Sequence, residues 1–280
     1  MMGDDYILGT HDAELARLGL QHRVWRPVVL ECWRKAGITD GKRVLDVGAG
    51  PGYAAMDLAE IVGPTGEVVA IERSAKFVAA AEEMRRKRGL RNVRVYQLDL
   101  MKGKLPEGDF DFCWCRWVLC FVSQPDLLVR KMAAALREGG VAIFHEYVEY
   151  GTWSYFPPRP FHGKFVEAVM ESWRASGGEP DIGKELPPLL TSNGFSLRSM
   201  TPRVFAITPG DEMWQWPATF IQSGAARMEE LGQLDGTFVA QLRDEFAAAE
   251  KEPGTVMMTP LVLEMVASLE RRVGPRLRQY

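Results

Sequence analysis

An apolar strand sequence running without a break into a glycine-dense turn, Val44-Leu45-Asp46-Val47-Gly48-Ala49-Gly50-Pro51-Gly52, constrains this chain more than any other stretch. Gly48, Gly50 and Gly52 lack a Cβ, so the backbone there can take positive φ and let a ligand come close. The helix-compatible Tyr53-Ala54-Ala55-Met56-Asp57-Leu58-Ala59-Glu60 follows at once and places the turn at a helix N-terminus. Unpaired N–H groups and the helix dipole attract anionic groups there. The order strand, glycine turn, helix reads as a nucleotide-cofactor loop. Packing alone also makes such turns glycine-rich, so the downstream spacing has to decide.

Twenty residues after Gly52, the strand sequence Glu67-Val68-Val69-Ala70-Ile71 ends in Glu72. An acid at the tip of the second strand of a βαβ unit is placed to accept hydrogen bonds from ribose hydroxyls. A third strand sequence, Val93-Arg94-Val95-Tyr96-Gln97-Leu98, ends in Asp99, where a carboxylate can accept from an exocyclic amine such as that of adenine. Asp46, Glu72 and Asp99 thus mark three successive strand tips on one sheet edge, with Arg73 and Leu100 beside them. Each acid alone could be a helix or turn cap, but the ordered series is much harder to obtain by chance.

Two enzyme classes use such a series. The dinucleotide fingerprint G-x-G-x-x-G makes room for a pyrophosphate. Here the pattern is Asp46-x-Gly48-x-Gly50-x-Gly52, and an acid two residues before the first glycine repels a pyrophosphate. It suits a ligand with an ammonium group and no phosphate, such as the methionine end of S-adenosylmethionine.

VLDVGAGPG, the acid in VVAIERS and the acid in VYQLDL resemble the first three motifs of class I S-adenosylmethionine-dependent methyltransferases. DFDFCWCRWVLCFV resembles the fourth-strand motif and LREGGVAIFHEYVEY the segment leading into and along the fifth strand, so the likeness covers roughly residues 40 to 150. The N-terminal DYILGTHDAELARLGLQHRVW resembles the lead-in of small-molecule methyltransferases, including those of natural-product pathways. The resemblance implies S-adenosylmethionine as cofactor and S-adenosylhomocysteine as product. It also implies that Tyr6 and Gln21 lid the methionine end. Arg116 follows the fourth strand, where its side chain can pair with the cofactor carboxylate, with Asp46 or with Glu146.

Composition narrows the partners. A net charge of −3 offers no basic field for nucleic acid. The one dense cluster, Arg85-Arg86-Lys87-Arg88, ends a helix where cations complement the dipole. Cys32, Cys113, Cys115 and Cys120 show neither a zinc spacing nor a disulfide framework, and no two histidines and a carboxylate share a ligand-like spacing, so no metal is expected. No signal peptide or membrane-length apolar run is evident, and a soluble cytoplasmic enzyme is the expectation.

Alternating strands and helices with short turns predict an α/β fold: a Rossmann-like, doubly wound, seven-stranded and mostly parallel sheet. A helical cap is expected from insertions after strands five and six. The expected organisation is an N-terminal helical lid over 1–40, a cofactor-binding core over 41–150 and a cap insertion over 151–184. A core helix and strand six follow over 185–209, a helical cap insertion over 210–255, then strand seven and a tail over 256–280. Strand six is expected to run unbroken over 195–207 and strand seven over 256–269.

The stretch Gly151 to Pro160 is proline-stiffened, a poor place for a core, so Trp153, Tyr155 and Phe156 are expected to face an aromatic small-molecule acceptor. His162 follows with a weaker claim. His145, at the end of strand five, is the expected general base, with Glu146 and Tyr147 next. The reading is methyl transfer to O, N or C of a small, aromatic metabolite. A quinone-type C-methyltransferase and a non-catalytic cofactor-binding regulator remain open beside it, as does the number of subunits.

Overall fold

The computed structural model describes residues 12–106 and 109–270, so the expectation for Tyr6 lies outside the described residues. Helix α1 (Asp12–Ala36) comes first. Strands and helices then alternate through β1 (Arg43–Val47), α2 (Tyr53–Val62), β2 (Glu67–Glu72), α3 (Ala75–Lys87), β3 (Val93–Gln97), β4 (Phe110–Arg116), α4 (Pro125–Ala135) and β5 (Leu136–Glu149). Next come β6 (Ser154–Phe156), α5 (Pro160–Ala175), α6 (Leu186–Ser192), β7 (Phe195–Arg203) and β8 (Ala206–Ile207). Helices α7 (Gln215–Glu230) and α8 (Gly236–Ala249) and strands β9 (Val256–Met258) and β10 (Leu261–Leu269) complete it.

The main sheet has seven strands in the order β3-β2-β1-β4-β5-β10-β7. The first five in the chain pair in parallel, and β10 lies antiparallel between β5 and β7. Val44, Leu45 and Val47 are fully buried, as are Cys113 and Cys115, because helices cover both faces of a parallel sheet. That is why these strands read as continuous apolar runs. The strand order turns back between β1 and β4, and open α/β sheets bind ligands at such a point, beyond the carboxyl ends of the strands.

Three expectations need correction. Strand seven is two strands, because Pro260 has no N–H to continue a ladder and Thr259 turns aside. The Thr259 N–H donates to the Phe205 carbonyl at 3.0 Å and its hydroxyl accepts from the Phe205 N–H at 3.0 Å. Strand six breaks opposite it, between Arg203 and Ala206. The freed ends β8 and β9, with β6, form a separate three-stranded antiparallel sheet in the order β6-β9-β8. The segment expected as a ligand-facing loop is therefore partly a strand, with Tyr155 opposite Met257. Around it α1 packs on α7, α5 on α8 and α7 on α8.

Candidate functional site: a cofactor cleft and an aromatic pocket

A cavity of about 470 Å³ opens where the strand order turns back. Asp46 of β1, Glu72 at the end of β2, Asp99 just past β3 and Arg116 at the end of β4 line it together. Gly48, Gly50, Arg73 and Leu100 border it from the loops, and Gln21 reaches it from α1. The glycines divide the work. At Gly48 a Cβ would collide with the Val118 side chain, and at Gly52 it would stand 2.8 Å from the Ala81 Cβ of α3, so both permit close packing. Gly52 does not line the cavity, against the expectation that it would touch the cofactor. Gly50, at φ 55°, has nothing within 4 Å of an added Cβ and leaves the backbone open to a ligand.

Glu72 holds that loop. Its carboxylate accepts the Gly50 N–H at 2.9 Å and the Ser74 N–H at 2.7 Å. A carboxylate has about four acceptor positions, so capacity for a ligand hydroxyl remains. Burial raises its pKa above the ordinary glutamate value, against the pull of those N–H groups. Asp99 caps its own turn, accepting the N–H groups of Met101 at 2.8 Å and Lys102 at 3.4 Å.

Asp46 and Arg116 are different. Asp46 is 2% exposed and its Oδ2 has no partner, while burial pushes its pKa up to about 7. The Arg116 Nη1 is likewise buried without a partner, and burial lowers that guanidinium to about 10. Unpaired buried polar groups are costly, and native proteins keep few of them. One free acceptor and one free donor in the same cleft match the ammonium and the carboxylate of an amino acid. The donor set fits the methionine end expected from the sequence.

A second cavity abuts the first. It holds only about 30 Å³ and is walled by rings: Trp117, Tyr147, Tyr150, Trp153, Trp173, Trp216 and Phe220. Gln21, Trp117 and Phe121 border both cavities. The Trp117 indole is stacked between Tyr147 and Trp216, with centroids 5.5 Å away on each side. Its backbone has φ 51°, a left-handed conformation that a bulky side chain rarely adopts, and strain of this kind collects at functional positions. Glu146 holds the turn in place. It is fully buried and its Oε1 accepts the N–H groups of Val118 and Leu119, each at 2.9 Å. Burial raises the Glu146 pKa to about 7.

One end of the aromatic pocket is polar. Glu14 and Arg17 of α1 form a buried two-pronged ion pair with both hydrogen bonds at 2.7 Å. Arg17 Nη1 also donates to Gln21 Oε1 at 3.0 Å, and Trp216 Nε1 donates to the same oxygen at 3.1 Å. Glu14, Arg17 and Trp117 were not among the residues expected at the site. The spacing 14, 17, 21 on a helix did carry a signal, because residues three and four apart share a face.

The structure separates other candidates from both cavities. His145 is fully buried on β5, and its Nε2 bonds Glu264 Oε2 at 3.0 Å. It borders neither cavity, because strand alternation turns its side chain onto Trp25 and Trp114 beneath the cleft. Burial, opposed by Glu264, lowers its pKa. Tyr155 packs edge-on against His162 and Trp214 in the core, and His162 is 2% exposed. Phe156 is 54% exposed on the small sheet. Of that segment only Trp153 reaches the aromatic pocket. Glu146 and Tyr147 take the places just described.

Cys32, His145 and Glu264 bring three potential metal ligands within 4.8 Å of one another, a grouping that the sequence spacing hid. Glu264 already bonds Arg203 at 2.9 Å as well as His145, so this is a hydrogen-bonded core cluster. Among the described residues no helix is long and apolar enough to cross a membrane.

Comparison with known proteins agrees with this geometry. Residues 38–193 match the family described as a methyltransferase domain. The chain is 29% identical over 209 residues to a ubiquinone/menaquinone biosynthesis C-methyltransferase of Pseudomonas putida, covering 69% of this chain and 80% of that one. Its fold is similar to a putative methyltransferase from Bacillus halodurans, with a TM-score of 0.58 at 15% identity, over 86% of this chain and 98% of that one. A geranyl diphosphate C-methyltransferase from Streptomyces coelicolor, solved with S-adenosyl-L-homocysteine, gives a TM-score of 0.55 at 14% identity, over 89% and 80% of the two chains.

Proposed function

The chain belongs to the methyltransferase-domain family and is an S-adenosylmethionine-dependent enzyme; from that premise we propose that it methylates a small, planar aromatic acceptor held in the ring-walled pocket. The carrying observation is the shared border: Gln21, Trp117 and Phe121 bound both cavities, so a methyl donor in the cleft meets an acceptor at the Trp117 stack. The rings favour a flat apolar molecule through offset and edge-on contacts. The Glu14–Arg17 pair brings no net charge, which favours a neutral acceptor with a polar group toward Gln21.

When bound, the cofactor supplies a methyl group already activated on a sulfonium. The task of the chain is to place it. Asp46 and Arg116 receive the amino-acid end, Glu72 the ribose and Asp99 the adenine side, while the stacked rings orient the acceptor and exclude water. Placement and orientation alone can supply most of the acceleration. Tyr147 and Tyr150 both line the acceptor side, and Tyr147, stacked on Trp117, is the first candidate to take a hydrogen bond from a protonated acceptor.

A quinol is one member of that acceptor class, and the relative from Pseudomonas putida favours testing it beside phenols and indoles. Incubation with methyl-labelled cofactor and a panel of phenols, indoles, quinols, amino acids and phosphate esters tests the reading. Label should appear on planar aromatic acceptors. Transfer confined to amino acids or phosphate esters would overturn it, and binding of S-adenosylhomocysteine without any transfer would point to a regulator.

A further inference from the structure

We infer that His22 of α1 is a positioning residue, fixing the Arg116 guanidinium for the carboxylate end of the cofactor. His22 lies outside the residues that match the family, which begin at 38. The inference rests on reading the larger cavity as the cofactor cleft.

His22 is 6% exposed, and both its ring nitrogens are engaged. Nδ1 is 3.3 Å from Arg116 Nη2, and Nε2 is 3.0 Å from Asp57 Oδ2. A guanidinium offers donors and no acceptor, so Nδ1 must be the unprotonated nitrogen. The ring proton therefore sits on Nε2 and is donated to Asp57. This tautomer is set from both sides. Asp57 is itself a reliable acceptor, for although burial alone would raise it, the hydrogen bonds from His22 and Arg26 hold its carboxyl at about 2. Arg26 reaches it at 2.6 Å and Arg88 at 3.4 Å. The His22 ring is also stacked on Tyr53 at 5.8 Å, which fixes its plane. Burial pulls the His22 pKa below its ordinary value, as a neutral ring requires.

The consequence falls on Arg116. One of its terminal nitrogens is committed to His22 and the other, Nη1, is buried without a partner in a residue that lines the cleft. A guanidinium is a rigid planar fork, so fixing one prong fixes the other. Asp57, His22 and Arg116 thus form a line of hydrogen bonds from α2 through α1 to the cofactor. The N-terminal helix becomes part of the cofactor site through a side chain that need not touch the cofactor.

Two ligands separate positioning from mere support: S-adenosylhomocysteine, and 5′-methylthioadenosine, which keeps the nucleoside and lacks the carboxylate. Calorimetry of the full chain should show wild type binding the former. His22→Phe should lose about 10- to 100-fold in affinity for it, the usual worth of a charge-assisted hydrogen bond. Affinity for 5′-methylthioadenosine should stay within about twofold, since its nucleoside contacts do not involve Arg116. His22→Asn should restore most of the loss, because its amide oxygen can occupy the Nδ1 acceptor position.

Equal weakening of both ligands in His22→Phe, no weakening, or no recovery in His22→Asn would overturn the inference. Nitrogen-15 spectra of the free wild-type chain should show the His22 proton on Nε2, and a proton on Nδ1 would also overturn it, even if His22→Phe fails to fold. Wild type binding neither ligand would instead overturn the cofactor reading, and this inference with it.

Discussion

The two adjoining cavities are built on opposite principles. The larger cleft holds about 470 Å³, and its chemistry comes from strand tips and backbone that the sheet fixes in place. The aromatic pocket holds about 30 Å³, and its walls are side chains packed ring against ring. Trp117 on its strained turn borders both cavities, while Trp216 on α7 stacks on it from the pocket side alone. The strand-tip half is therefore held by backbone and sheet, and the ring-walled half by packing of side chains.

The largest effect expected from that contrast is on stability. Trp216→Ala removes a ring that is 3% exposed, stacks on Trp117 and bonds Gln21. It should cost about 3–5 kcal/mol in denaturant unfolding, as large-to-small core changes do. Affinity for S-adenosylhomocysteine should hold within a few fold in the folded variant. Collapse of cofactor binding there would show that the two cavities are one unit.

Glu72→Ala acts on the other side of the comparison. It removes the acceptor of the Gly50 and Ser74 N–H groups along with the carboxylate proposed to meet the ribose. Cofactor affinity should fall by about 1.5–3 kcal/mol, the worth of a hydrogen bond to a charged group, with unfolding changed much less than by Trp216→Ala. A folded variant with unchanged affinity would remove Glu72 from the site.

A smaller effect is expected from pH. Asp46 ionises near 3.8 in its ordinary state but near 7 in the folded chain, because burial disfavours the charge. Between these values the folded chain keeps a proton that the unfolded chain has lost. Asp46 therefore subtracts stability as pH rises through that window, and its cost is constant above 7. Ammonium binding needs the ionised form, so the affinity for S-adenosylhomocysteine should fall roughly tenfold per unit below about 7, with proton release on binding. Asp46→Asn should flatten that dependence, and calorimetry in buffers of different ionisation heat reads both. A flat wild-type profile would separate Asp46 from the ammonium.

The smallest effect expected is that of His145→Gln. The amide can still donate to Glu264, and turnover should stay within about threefold, whereas loss of a general base costs about 10²–10⁴-fold. A loss of that size, at unchanged cofactor affinity, would show that His145 reaches the acceptor after all.

The edge that carries the acid series was legible in the sequence because its signals are local. A strand tip is fixed by its own apolar run, so Asp46, Glu72 and Asp99 could be placed on one edge by counting along the chain. Arg116 followed by the same logic from the fourth strand. Where a residue faces across an element is also local, but what lies on that side is not. His145 was placed correctly on its strand, and the packing of α1 and β10 then buried it against Trp25 and Glu264.

The α/β alternation, the acid series and the glycine turn can all be read along the chain, since periodicity, strand tips and missing Cβ atoms are properties of short segments. The ring-walled pocket was settled by packing between distant elements. Trp117, Trp153, Trp173 and Trp216 come from four separate segments, and nothing local to any of them says that the others are near. The same holds for Thr259-Pro260, which split two strands and drew the segment around Tyr155 into a sheet of its own. It holds too for His22, which became a neighbour of Arg116 only when α1 packed beside the cleft. Contacts between distant segments depend on how whole elements pack, and that is fixed by the sum of many weak interactions, which no single stretch of sequence records.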